Sequence, residues 1–153
     1  MTTQLKKKAV ILGLVFILIA SAIQTTLVQA ATITVTNNND NGAGSLRKAI
    51  ADASAGDTIT FDGDYAITLQ TTLTIDKNLT IDGDTHTISI SGNDTVQVFN
   101  IPSGTVSLKN LTITHGYNDN NYGGGIYNEG TLSIINCTFS NNKAGYGGAI
   151  YHY

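Results

Sequence analysis

The chain has no tryptophan, and proline, methionine and cysteine occur once each in 153 residues. Charged residues make up only 12% of it. The scarcity of cysteine rules out an internal disulfide, because Cys137 has no second thiol to pair with. A lone thiol in such a chain is expected to be a small, inert, buried filler. The scarcity of charge has a sign. After residue 30, five Lys and Arg face eleven Asp and Glu, a net charge of −6. That leaves no electrostatic footprint for nucleic acid or anionic lipid. His86, His115 and His152 have no partner at metal-ligand spacing, so zinc is not expected. No serine lies in a nucleophile elbow, and no glycine-rich segment has the strand–loop–helix setting of a phosphate loop. Thr, Asn, Ile and Gly fill the space instead. β-Branched residues favour pleated surfaces and Asn and Gly favour tight turns, which points to an all-β chain and away from a helical bundle.

One long uncharged run stands apart. Lys6, Lys7 and Lys8 precede an apolar stretch from Ala9 to Ile23, and Val28, Gln29 and Ala30 place small residues where a signal peptidase reads them. Residues 1–30 are therefore expected to be a secretory signal peptide, cleaved before Ala31. The alternative is a retained membrane anchor, since no charge occurs between Lys8 and Asp40. A spanning helix needs about 20 mostly apolar residues, and Gln24, Thr25 and Thr26 interrupt this one.

The strongest positive signal is a repeat. Tyr122-Gly123-Gly124-Gly125-Ile126-Tyr127 returns further along as Tyr146-Gly147-Gly148-Ala149-Ile150-Tyr151. The segment beginning Gly104-Thr105-Val106-Ser107-Leu108 is echoed at nearly the same offset from Gly130. A period in the twenties with short alternating units is the mark of a solenoid. Residues 57–153 read as its coils, expected to be incomplete at the C-terminus, with strands such as Thr58–Phe61, Ala66–Leu69, Leu73–Ile75, Leu79–Ile81 and Thr87–Ile90. Lys77-Asn78-Leu79-Thr80-Ile81 and Lys109-Asn110-Leu111-Thr112-Ile113 are near copies at a wider offset. Aligning them makes the early coils longer than the later ones and places Leu79, Leu111 and Cys137 together inside. Residues 31–56 read as an N-terminal cap. A strand over 32–36 and a turn over 37–42 lead to a short helix with Ser45 as N-cap and Leu46, Ala49, Ile50 and Ala53 on one face.

Two segments resemble known proteins. Phe139 to Asn142, followed by Gly147-Gly148-Ala149-Ile150, resembles the F-x-x-N … G-G-A-[ILV] repeat of polymorphic outer membrane proteins, first described in chlamydial surface proteins. Ser45 to Ile50, followed by Gly56 to Phe61, resembles the S-L-R-x-A-I segment of many large bacterial surface proteins with right-handed parallel β-helices. The preceding coil departs from the pattern, having Ile113-Thr114-His115-Gly116 where F-x-x-N would stand. The resemblance implies a right-handed parallel β-helix with a short N-terminal capping helix, located at the cell envelope, outer membrane surface or exterior. Family members often carry a C-terminal barrel, and no means of attachment is encoded in this stretch.

Candidate functional residues follow from the coil. Glycines 123–125 and 147–148 suit a sharp corner, and Asn110 and Asn136 at equivalent corners are placed to bond along the axis. With Ile126 and Ile150 pointing inward, period two turns Tyr127 and Tyr151 outward, about 4.7–4.9 Å apart along the sheet. These tyrosines are the candidate partner-binding residues, each with a flat apolar face and a polar tip. Asp62, Asp64, Asp82 and Asp84 are weak calcium candidates, since D-G is first of all a turn sequence and calcium takes six to eight oxygens. Asn78, Asn93, Asn110 and Asn136 open N-x-[ST] sequons, which the repeat itself accounts for. No catalytic residue, cofactor or firm metal site is assigned. The expected function is an exported, adhesin-like scaffold offering a face to a glycan or to a surface protein of a host or neighbouring cell. The alternative is a fragment of a β-helix polysaccharide lyase or glycoside hydrolase, which would need convergent carboxylates.

Overall fold

A computed structural model describes residues 29–153, the side chains of Asn120 and Asn121 excepted. The leader expected over residues 1–30 lies outside the described residues but for Gln29 and Ala30. Among the described residues no helix is long and apolar enough to cross a membrane.

β1 (Thr32–Val35) is followed by the helix α1 (Leu46–Asp52). The first full coil then runs through β2 (Thr58–Phe61), β3 (Tyr65–Thr68) and β4 (Leu73–Thr74). The second comprises β5 (Leu79–Asp82), β6 (Ile88–Ser91) and β7 (Phe99–Ile101). The third has β8 (Thr105–Lys109), β9 (Leu111–Thr114), β10 (Tyr117–Tyr122) and β11 (Ile126–Asn128). The fourth repeats that plan with β12 (Thr131–Ile135), β13 (Thr138–Ser140), β14 (Lys143–Tyr146) and β15 (Ile150–His152). Strands pair with their counterparts one coil away, always in parallel. The sheets run β1-β2-β5-β8-β12, β3-β6-β9-β13 and β4-β7-β11-β15, with β10-β14 as an added pair. The molecule is a parallel β-solenoid.

The alternation seen in the sequence explains why such short strands hold. In β5 and β6, Leu79, Ile81, Ile88 and Ile90 are buried while Thr80 and Ser89 face outward. One core runs from Val35 to Ile126, and burying each such side chain contributes about 1.5–3 kcal/mol. Ser45 caps α1 by accepting the Lys48 N–H at 3.2 Å, and Leu46, Ala49, Ile50 and Ala53 are buried on one face. Lys77 Nζ donates to the Ile50 and Ala53 carbonyls (3.3 and 3.0 Å), setting a cation at the helix C-terminus. Arg47 ties the helix to Asp40 and to the Thr72 carbonyl.

Coil lengths differ from the expectation. Between the first and second coils Thr58 is matched by Thr80, a short step. Beyond them Leu79 is matched by Val106 and Thr105 by Thr131, both longer steps. Along this sheet the first step is the shortest, whereas along β4-β7-β11-β15 the last step, Ile126 to Ile150, is the shortest, so length does not simply fall along the chain. Leu79 pairs with Val106 and Leu111 with Ile88, so the two K-N-L-T-I segments lie in different sheets. Their asparagines do different jobs. Asn110 is a left-handed corner (φ 55°), whereas the Asn78 side chain accepts the Thr105 N–H at 2.8 Å. Cys137 occupies the position one coil beyond Leu111 and packs on the core, yet it is only half-buried. No described coil stacks beyond it, and Ile134 and Ile135 beside it are exposed too. Burial still pushes its thiol pKa up.

Asn110 and Asn136 share left-handed corners, and the Asn136 amide reaches Asn110 Oδ1 at 3.4 Å. The ladder extends downward as Asn110 Nδ2 donates to Asp82 Oδ1 at 2.8 Å. Asn93 is a third such corner (φ 55°), which gives three of the four sequons a backbone role.

Candidate functional site

Period two places Ile126 and Ile150 in the interior and Tyr127 and Tyr151 on the outer face of β11 and β15. The two tyrosines are direct register partners, and their rings stack with centroids 5.8 Å apart and planes 3° from parallel. The rings are wider apart than the strand spacing of about 4.8 Å.

Two further tyrosines join them through the corner. Of glycines 123–125 and 147–148, Gly123 and Gly147 take positive φ (64° and 60°), which folds the chain back after Tyr122 and Tyr146. Tyr122 and Tyr146 stack on each other at 5.7 Å, and Tyr122 leans on Tyr151 at 4.7 Å with planes 56° apart. Gln97, almost fully buried one coil below, donates its amide to the Tyr122 and Gly123 carbonyls and fixes this turn. The other glycines are needed for close approach. A Cβ on Gly124 would lie 2.6 Å from the Gly148 carbonyl oxygen, and one on Gly116 would lie 2.1 Å from that of Gly124.

The F-x-x-N segment explains itself in the same terms. Phe139 pairs with Ile113 over the core, and Asn142 reaches down one coil. Its Oδ1 accepts the Gly116 N–H and its Nδ2 donates to the Ile113 carbonyl, both at 2.8 Å. One amide thereby satisfies the backbone of the preceding corner, where a side chain at Gly116 would collide with it.

Tyr122, Tyr127, Tyr151 and Tyr153 enclose a shallow cleft of about 190 Å³. Because Tyr127 and Tyr151 face one another, the cleft shows a partner mostly ring edges and hydroxyls. Tyr146 and Tyr153, 63% and 83% exposed, offer open ring surface. Glu129 sets a negative charge at the rim by accepting the Tyr127 hydroxyl at 2.7 Å. That bond, aided by burial and by the carboxylate charge, pushes the Tyr127 pKa up to about 12. A raised phenol pKa favours the neutral form, so this stabilisation holds below the ordinary value of 10.0 and is lost as pH climbs through about 12. Glu129→Gln should bring Tyr127 ionisation back toward the ordinary tyrosine range in a ring-carbon NMR titration. An unchanged titration would show that the carboxylate is not the cause.

The aspartates expected as calcium candidates lie at the corners of adjacent coils, and the carboxylates of Asp62, Asp64 and Asp82 have other partners. Asp62 accepts the Tyr65 hydroxyl at 2.5 Å, and Asp64 accepts the Thr87 N–H at 2.7 Å. Asp82 accepts the Asp84 N–H and the Asn110 amide and lies 3.8 Å from Lys109 Nζ. Among the described residues no group of three or more His, Cys, Asp or Glu converges as a metal site. Sequence reasoning missed Tyr122, Tyr146, Tyr153, Gln97 and Glu129 as neighbours of the tyrosine pair. The repeat singles out Tyr122 and Tyr146, since both head a copy of it, but does not say which rings they meet.

Residues 136–153, which span β13 to β15, match the family model of the Chlamydia polymorphic membrane protein repeat. No curated protein and no solved structure gives a significant match.

Proposed function

We propose, with the polymorphic membrane protein repeat at residues 136–153 as premise, that this chain is an exported surface protein of the bacterial envelope. It acts as an adhesin-like scaffold without catalysis of its own. The signal peptide over residues 1–30 directs export, residues 31–56 close the N-terminal end of a right-handed β-helix, and the tyrosine face meets a glycan or a protein of an apposed cell. The observation that carries this reading is the clustering of four tyrosines around one cleft, with Tyr146 stacked on Tyr122 beside it, overlapping the matched repeat. Aromatic rings with hydroxyl tips combine apolar area with hydrogen bonding, which suits sugar and protein surfaces alike. The charge of Glu129 at the rim favours a neutral or basic partner over an acidic one.

Screening the exported chain on a glycan array and on intact host-type cells tests the proposal. The Tyr127→Ala/Tyr151→Ala double variant should lose most of any binding seen while keeping its β-type circular dichroism. Cleavage of any arrayed glycan by the wild type would favour the lyase or hydrolase alternative instead.

A further inference from the structure

We infer that Asp57 is a receptor site for the α-ammonium group of Ala31, freed when the leader is removed. The inference rests on the exported reading above. Its basis is a coincidence at one residue between the cleavage point expected from the sequence and a contact observed in the fold. On the exported reading, the signal peptidase bond is expected between Ala30 and Ala31. The fold places the Ala31 nitrogen 2.8 Å from Asp57 Oδ1.

Asp57 stands just before β2 and is 4% exposed. Oδ1 accepts the Ala31 N–H, and Oδ2 accepts the Ser54 N–H at 2.8 Å. The Ala31 carbonyl in turn accepts the Thr58 N–H at 2.8 Å, and the Asp57 carbonyl accepts the Thr80 N–H at 3.1 Å. One side chain thus joins the start of β1, the turn after α1 and the start of β2. With the leader attached, both of its donors are neutral amides. The nearby cation, Lys77, is committed to the Ile50 and Ala53 carbonyls and acts on Asp57 only through space. A buried carboxylate held by neutral donors is stabilised further when one donor carries a full charge.

Peptidase-catalysed hydrolysis supplies that charge. Water adds across the Ala30–Ala31 amide, the new carboxylate leaves with Ala30, and the Ala31 amine takes up a proton at neutral pH. The ammonium keeps one N–H on Oδ1 and turns a neutral hydrogen bond into an ion pair. Leader removal therefore fastens β1 to β2, and the exported form is more stable than any form still extended at Ala31.

The experiment uses the full chain, exported from a bacterial host, with and without a Gly-Ser insertion between Ala30 and Ala31. Both versions are also made in an Asp57→Asn background, and every product's N-terminus is read by mass spectrometry. The wild-type product should begin at Ala31 and melt about 3–6 °C above the inserted form. In the Asp57→Asn background the gap should shrink to about 1 °C or less. Equal midpoints with Asp57 present overturn the inference and leave the export reading standing. A product beginning at another residue overturns the inference alone, and a chain retained uncleaved inside the cell overturns both. If Asp57→Asn does not fold, the α-amino titration of the mature wild type decides. Asp57 is its carboxylate partner, with Lys77 acting on Asp57 through space, and its pKa should lie above the ordinary range of about 7.7–8.0. An unshifted value overturns the inference.

Discussion

Phe99→Ala is expected to destabilise the protein by about 3–5 kcal/mol, the range for deleting a fully buried aromatic ring. Phe99 heads β7 and is wholly shielded from solvent. It lies between Leu73 one coil below and Ile126 one coil above, both buried as well. Neither neighbour can collapse into the space without breaking its own ladder, so the cavity stays open. The comparison that makes this informative is Leu132→Ala in β12. Leu132 also points toward the core but is only partly covered. Its truncation should cost less than half as much. Urea denaturation checks both, with m unchanged so that midpoints report stability. Equal losses would mean that the last described coil is as tightly enclosed as the middle of the stack, against the exposure of Ile134 and Ile135 beside it.

Gly123→Ala is expected to cost about 2–5 kcal/mol, combining a left-handed backbone with an overpacked corner. The φ of 64° already disfavours any side chain, and a Cβ would sit 2.3 Å from the Ile126 carbonyl oxygen. Because the obstacle is backbone, no rotamer change relieves it. The effect should also reach the tyrosine cleft, since this corner sets where Tyr122 meets Tyr151. Gly63→Ala is the control. Gly63 does not take positive φ, and its added Cβ would meet nothing closer than Tyr65 Oη at 3.6 Å. It should change stability by no more than about 0.5 kcal/mol. A similar loss for both substitutions would show that the glycines matter for some general reason and not for the corner.

These expectations also show what was legible beforehand. The spacing of the two Tyr-Gly-Gly copies equals the register Ile126 to Ile150, and the Gly-Thr echo equals Thr105 to Thr131. Period two correctly turns Ile126 inward and Tyr127 outward, because β-strand alternation is a local property. Ser45 as a helix N-cap is local too. What failed required knowing which strand stacks on which. The K-N-L-T-I segments look equivalent, but coil length is set by the corners between strands, and those corners differ. Tyr122 was invisible as a neighbour of Tyr151 because a left-handed glycine between Tyr122 and Tyr127 breaks the alternation. Nothing in the sequence singles out Asp57. Its partners at Ala31 and Ser54 come from a long-range contact and a tight turn that no spacing rule announces.

Acid should expose that last contact. Backbone N–H groups from Ala31 and Ser54 hold the Asp57 carboxyl below its ordinary value of 3.8, with Lys77 adding a smaller pull. A depressed carboxylate contributes its stability above the ordinary value and loses it as pH falls through the folded one. The attachment of β1 is therefore sound at neutral pH and weakens only in strong acid.

The central claim is that the tyrosine face of the last two coils is the contact surface. Its most direct test is the affinity of the exported chain for intact cells, measured side by side with the Tyr127→Ala/Tyr151→Ala variant after both give the same β-type circular dichroism. At least a tenfold weaker interaction is expected for the variant, about the 1.4 kcal/mol that one aromatic contact supplies. Equal affinity of the two folded proteins would contradict it.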